Sequence, residues 1–195
     1  MPAIFPEAVV GTTIACSFIL LGNAITQSFM GVPALLVDFP HPTSPNHAAA
    51  ARHLGKQWPV FWKVGNVFFR PISTLGVLGY SYAGYCAYRA ATRTGVILGS
   101  DRLEGGASSG PDWKLFAVGA VCHLVTVVHS AVNMQPLNAK IDALRGDTVG
   151  VRVDSSLAEW YARRWQKLNL VRLVMPLVAG SLALWQGLKG RFSSY

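Results

Sequence analysis

A four-helix transmembrane bundle with up-down topology is the fold class that the sequence predicts, and three observations carry it. Hydrophobic residues make up 51% of the 195 residues and charged residues 13%, the latter about half the share found in a soluble domain. Mean hydropathy is positive, at +0.34. Four apolar stretches recur along the chain, each close to the ~20 residues that cross a ~30 Å hydrocarbon core as a helix. These features exclude a disordered chain, a coiled coil and an ordinary soluble enzyme. Residues 1–195 read as a single integral-membrane domain.

The first span covers about residues 8–30 (AVVGTTIACSFILLGNAITQSFM). It is longer than the apolar region of a signal peptide, and Met1–Glu7 carries no positive charge, so it reads as a retained span. Loop one, Val37–Asn66, is punctuated by Pro40, Pro42 and Pro45, with a short helix around Ala48–Lys56. The second span, about 67–88, has Arg70 near its start. Loop two, Arg89–Asp112, contains GGASSGP (Gly105–Pro111), a flexible turn. That run follows no strand and opens no strand–helix alternation, so it is not a nucleotide-binding loop. The third span covers about 113–134. The polar loop three, Ala139–Lys167, then leads through Ser155–Ser156 and an amphipathic run into the fourth span, about 168–188.

The net charge is +8. No cluster resembles a basic arm or recognition module, so nucleic acid is not the expected partner. A membrane protein gathers Lys and Arg in its cytosolic loops. With four spans, loops one and three share one side, where Arg52, Lys56, Lys63, Lys140, Arg145, Arg152, Arg163, Arg164 and Lys167 outnumber the basic residues opposite. Loops one and three are therefore expected in the cytosol. Cys16, Cys86 and Cys122 fall in three different apolar stretches, which fits buried free thiols rather than a disulfide framework or a zinc site. His41, His47 and His53 are six apart, a spacing that fits no helical face, and read as solvated loop residues.

Polar residues within spans usually face the bundle interior or a cavity, and residues three, four or seven apart share a helix face. Span one carries Asn23 and Gln27. Trp62, Asn66 and Arg70 lead into span two; His129, Asn133 and Pro136 end span three, with Asn138 a short step beyond; Trp165, Asn169 and Arg172 lead into span four. In an up-down bundle all four groups lie at one membrane face, that of loops one and three. A polar chamber at this end of an apolar bundle is the expectation, with no comparable cluster in the opposite half. FWKVGNVFFRP (Phe61–Pro71) and RWQKLNLVRLVMP (Arg164–Pro176) echo each other in Trp, Asn, Arg and Pro. The competing explanation is a pair of interfacial Trp anchors with snorkelling Arg. His123, about 120° around the helix from His129, reads as packing.

The spans contain no paired carboxylates, nucleophile elbow or Cys–His pair, which disfavours glycoside hydrolysis, di-iron and covalent hydrolytic chemistry. The chamber instead supplies an imidazole base (His129), fixed cations (Arg172 and Arg70), amide donors (Asn133 and Asn169) and a surround of Trp62, Asn66, Trp165, Asn138, Asn23 and Gln27. This set suits an apolar aromatic substrate that must lose a proton and form an enolate: His takes the proton, while Arg and Asn stabilise the developing oxyanion.

HSAVNMQPLNAKIDAL (His129–Leu144), WQKLNLVRLVMP (Trp165–Pro176) and WKVGNVFFR (Trp62–Arg70) resemble the anthrone oxygenase-like family of small four-span membrane proteins. The resemblance implies oxidation of an anthrone methylene to the anthraquinone carbonyl with O2, as in fungal aromatic-polyketide pathways, where emodin anthrone and noranthrone are substrates of this kind. It places His129, Asn133, Pro136, Asn138, Trp165, Asn169 and Arg172 on the family's motifs. The expected partners are an apolar aromatic substrate and the lipid bilayer, with a homo-oligomer left open. O2 is the only co-reactant expected and no metal site is expected. Two alternatives stand beside this reading: a haem- or metal-dependent redox protein with His129 as ligand, and a non-catalytic adaptor whose polar stripes hold helices together.

Overall fold

The computed structural model describes residues 4–97, 111–146 and 153–192. Helix α1 spans Ile4–Thr26 and passes through a π-helical turn, Gln27–Gly31, into the short α2, Val32–Leu35. Helix α3 spans His47–Ile97 and α4 spans Trp113–His129; a second π turn, Ser130–Met134, leads into α5, Gln135–Ala143. A 3₁₀ turn, Ser155–Leu157, opens α6, Ala158–Phe192. The described residues include no strand.

Helices α1, α3, α4 and α6 form a ring: α1 lies beside α3, α3 beside α4, α4 beside α6, and α6 beside α1. Neighbours run antiparallel. Gly79 faces Thr13 while Gly65 faces Gln27, and Gly84 faces Phe116 while Gly76 faces His123. Asp112 bonds Gln186 while His129 bonds Leu168, closing α4 against α6. Three segments are long and apolar enough to cross a membrane: Glu7–Leu35, Trp113–Ala143 and Ser155–Lys189. Arg70, four tyrosines and the glycines of α3 lower its hydropathy, yet it too turns Val67, Phe68, Leu75 and Leu78 outward. Outward apolar faces on all four helices are the pattern of a bundle solvated by lipid.

Loops one and three are more ordered than their composition suggests. Helix α3 begins at His47 and continues past Pro59 and Pro71, where a short helix around Ala48–Lys56 and a separate span from about residue 67 were expected. Proline within a helix removes one backbone bond, and packing on both sides holds this one together. The larger apolar cluster lies at this end. Trp58 and Trp165 meet edge to face at 5.4 Å, with Phe61, Leu54, Ile141, Met134 and Tyr161 around them. His47 is buried rather than solvated: Nδ1 lies 2.7 Å from the Pro40 carbonyl and Nε2 2.8 Å from that of Ser155, so the ring joins loop one to loop three. His41 and His53 are exposed, as expected. Asp154 caps the 3₁₀ turn by accepting from the Ser156 N–H at 2.9 Å, and the Ser156 bonds hold its carboxyl below its usual range. Of the glycine-rich turn in loop two, Gly105–Gly110 lies outside the described residues. Cys16 and Cys122 are buried free thiols, and Cys86 is half-buried.

Candidate active site

Both π turns lie at the same end of the bundle, and each contains the second residue of a predicted polar pair, Gln27 of Asn23/Gln27 and Asn133 of His129/Asn133. A π turn carries an i→i+5 bond and widens the helix locally. In α1 the Val32 N–H donates to the Gln27 carbonyl, and after α4 the Gln135 N–H donates to that of Ser130. The wider turn buries Gln27 and Ser28 together, although adjacent residues on an ordinary α-helix are 100° apart. Side chains of α6 then reach the loosened ladder of α1. Gln166 Nε2 donates to the Ser28 carbonyl at 2.6 Å, and Asn169 Nδ2 donates to the Ala24 carbonyl at 3.2 Å and to Ser28 Oγ at 2.9 Å. Ser28 and Gln166 were not anticipated, because their periodicity assumes no π turn.

Arg172 continues this network. Its guanidinium donates to Asn169 Oδ1 at 3.1 Å and lies 3.9 Å from Met134 Sδ. Among the described residues no carboxylate faces it; the two ion pairs are Arg145–Asp142 and Arg163–Glu159, both elsewhere. One turn earlier on α6, the Leu168 carbonyl lies 3.0 Å from His129 Nε2. A carbonyl only accepts, so Nε2 carries the proton and the lone pair is on Nδ1. Nδ1 faces the side-chain nitrogen of Asn133 at 3.0 Å. The ring is thus oriented from both edges, with its basic nitrogen on the side of the exposed Asn133. An axial bond from His129 to haem would require displacing Asn133 or breaking the Leu168 contact.

The other predicted residues divide. On the α1–α3 seam Gly65 leaves room for the Gln27 amide; Asn23 lies one turn before Gln27, Trp62 and Asn66 lie within one turn of Gly65, and each of the four residues carries a buried polar atom with no partner. Trp165 is 1% exposed and packs on Trp58 and Phe61, so it is a core ring rather than an interfacial anchor. Asn138 is buried and its Oδ1 accepts from Trp58 Nε1 at 3.1 Å, which gives it a structural contact outside the His129 group. Arg70 is exposed, with no side-chain hydrogen bond or ion pair among the described residues, and is not gathered with Arg172. Eight residues from Trp62 rotate Arg70 by about 80°, whereas seven from Trp165 return Arg172 to within about 20° of the same face.

A second polar cluster, not expected from the sequence, lies deeper in the bundle. Ser17 Oγ is 2.9 Å from both Tyr80 OH and His123 Nε2, and all three residues are buried. Gly76 lies flush against the His123 ring, and Gly119 against Tyr80. His123 is therefore a hydrogen-bonded interior residue on a face separate from His129.

Fold and site together define a small helical membrane protein whose bundle holds a His–Arg–amide centre at one end. The chain belongs to the anthrone oxygenase family, which matches residues 58–182, from Trp58 of α3 through most of α6. Membership carries with it an oxygenase function of that kind, in a membrane setting. No curated protein and no solved structure matches the chain.

Proposed function

We infer that the protein oxidises the methylene of an anthrone-type aromatic polyketide to the anthraquinone carbonyl, with O2 as the oxidant. The observation that carries this reading is Arg172: a half-buried guanidinium with no carboxylate partner among the described residues, one helical turn beyond the Leu168 carbonyl that orients the imidazole of His129. A desolvated cation lacking its anion is suited to a negative charge that arises during reaction. An anthrone methylene yields an aromatic enolate on losing its proton, so base and cation are required together.

His129 Nδ1 takes the proton once the Asn133 amide swings aside, and Arg172, held in place by Asn169 Oδ1, stabilises the enolate oxygen. The enolate gives one electron to O2, and recombination forms the C–O bond of a peroxide. The imidazolium returns its proton to give the hydroperoxide, which loses water to leave the carbonyl. One oxygen atom enters the product and the other leaves as water, so O2 alone supplies the oxidising equivalents. The substrate reaches the site from the bilayer. Trp62, Asn66, Asn23 and Gln27 line its seat, and loops one and three face the cytosol.

The decisive experiment follows O2 uptake by purified protein with an anthrone, subtracting the enzyme-free rate at each pH. His129→Ala lowers turnover by about 10²–10⁴-fold. His123→Ala, if folded, keeps far more activity. Wild-type turnover in a folded His129→Ala protein would remove the proposed base.

A further inference from the structure

Eight buried side-chain polar atoms among the described residues have no hydrogen-bond partner, and four belong to the seat described above. They are Asn23 Nδ2, Asn66 Nδ2, Trp62 Nε1 and Gln27 Oε1. Of the other four, Trp165 Nε1 belongs to the aromatic core, His123 Nδ1 lies deeper in the bundle, and Asp142 and Arg145 form an ion pair with each other. Buried polar groups in folded proteins are nearly always paired, so four open ones at one end describe a site completed by something outside the chain.

Their chemistry constrains what completes it. Indole N–H and amide NH₂ groups only donate, so three of the four require acceptor oxygens on the ligand. Gln27 Oε1 only accepts and requires a ligand hydroxyl. Its position is built rather than incidental. Gln27 is 6% exposed on the π turn of α1, and a Cβ at Gly65 would lie 3.2 Å from its Nε2. A side chain at Gly65 would crowd the amide. Trp62 and Asn66 flank Gly65 on α3, so the lone acceptor and two of the donors converge on the same seam. Gln27 lies outside residues 58–182, and family membership assigns it nothing.

We propose that Gln27 is the specificity-determining residue of the site, accepting a hydrogen bond from a phenolic hydroxyl of the aromatic ligand while the ligand's other oxygens take the three donors of the seat. The proposal rests on the oxygenase reading for the nature of the ligand. A site built around a substrate hydroxyl discriminates against the analogue that lacks it, because the buried acceptor is then left unpaired.

The test compares an anthrone bearing a free hydroxyl with the same anthrone methylated at that oxygen. It reads kcat/KM by O2 uptake, and anaerobic binding by quenching of tryptophan fluorescence. Wild-type protein should prefer the free hydroxyl by roughly ten- to hundredfold. Gln27→Met, similar in length and without a strong acceptor, should bring that ratio close to one, chiefly by losing the hydroxylated ligand. The ratio is taken within each variant, so folded yield cancels. Should Gln27→Met fail to fold, Gly65→Ala, which crowds the amide, should also lower the ratio. Oxidation of both ligands with no wild-type preference, or with a preference unchanged in the folded variant, would overturn the role of Gln27 and leave the oxygenase reading standing. Wild-type protein that neither binds nor oxidises either anthrone would overturn both.

Discussion

Arg172 separates a catalytic cation from an anchoring one. Its Nη1 both donates to Asn169 Oδ1 and approaches Met134 Sδ, which leaves the other N–H groups of a planar guanidinium in directions that a lysine ammonium does not reproduce. Arg172→Lys keeps the charge, so a residue serving only as an interfacial anchor would tolerate it. We expect instead a fall in kcat/KM of about tenfold or more, with folded yield and melting temperature nearly unchanged. Full activity would return Arg172 to an anchoring role. Arg70→Lys is the internal control, since its exposed side chain should tolerate the change. The two arginines looked alike in the sequence because both follow a Trp and an Asn. The distinction lay in a rotation of about 80° against one of about 20°, which exact spacing contains and a resemblance between segments hides. His129, Asn133, Asn169 and Arg172 were legible as one group. Ser28 was not, because nothing in QSFMG announces a π turn.

Helix contacts at small residues decide how closely the elements approach. Gly76 lies directly against His123, and Gly119 against Tyr80, so α3 and α4 meet almost backbone to ring around the buried Ser17–Tyr80–His123 cluster. Gly76→Ala places a methyl group where the imidazole sits, and overpacking of this kind costs about 1–3 kcal/mol. Gly22, with open space around its Cα, is the control: Gly22→Ala should be neutral or stabilise by up to about 1 kcal/mol. Melting temperatures of the two variants in detergent check this, and equal shifts would mean that α3 and α4 readjust. The spans themselves were readable from hydropathy because lipid-facing residues must be apolar along a whole helix. The Ser17 cluster was less so. Serine and tyrosine at isolated positions give no stripe, and their meeting depends on which faces α1, α3 and α4 present to each other. Loop one was misread for a related reason. The polar residues between the expected short helix and span two read as loop, but the Trp58–Trp165 cluster packs against this stretch and α3 is helical throughout, across Pro59.

At the scale of the whole molecule, the end carrying the site is also where the chain crosses itself most. His47 joins the carbonyls of Pro40 and Ser155, and the cluster around Trp58 draws in α2, α3, α5 and α6. Loops one and three are therefore one packed layer, and a membrane cannot separate them. This follows from side-chain contacts between segments about a hundred residues apart, which periodicity does not report; the sequence offered only the excess of basic residues on both loops. Those residues behave as an interfacial layer should. Arg164 lies 5.0 Å from the Trp160 ring, and Lys140 5.8 Å from Tyr161, each apolar ring covered by a cation. Sealed vesicles test the arrangement. Cysteines introduced at the exposed Asn46 and Ser156 should react with an impermeant thiol reagent from the same side, above the background of the wild-type protein. If that side is cytosolic, the charge bias is reading the orientation. Labelling of the two positions from opposite sides would separate loop one from loop three. It would break the contact made by His47, and with it the placement of α1 and α3 donors at the same membrane face as His129 and Arg172.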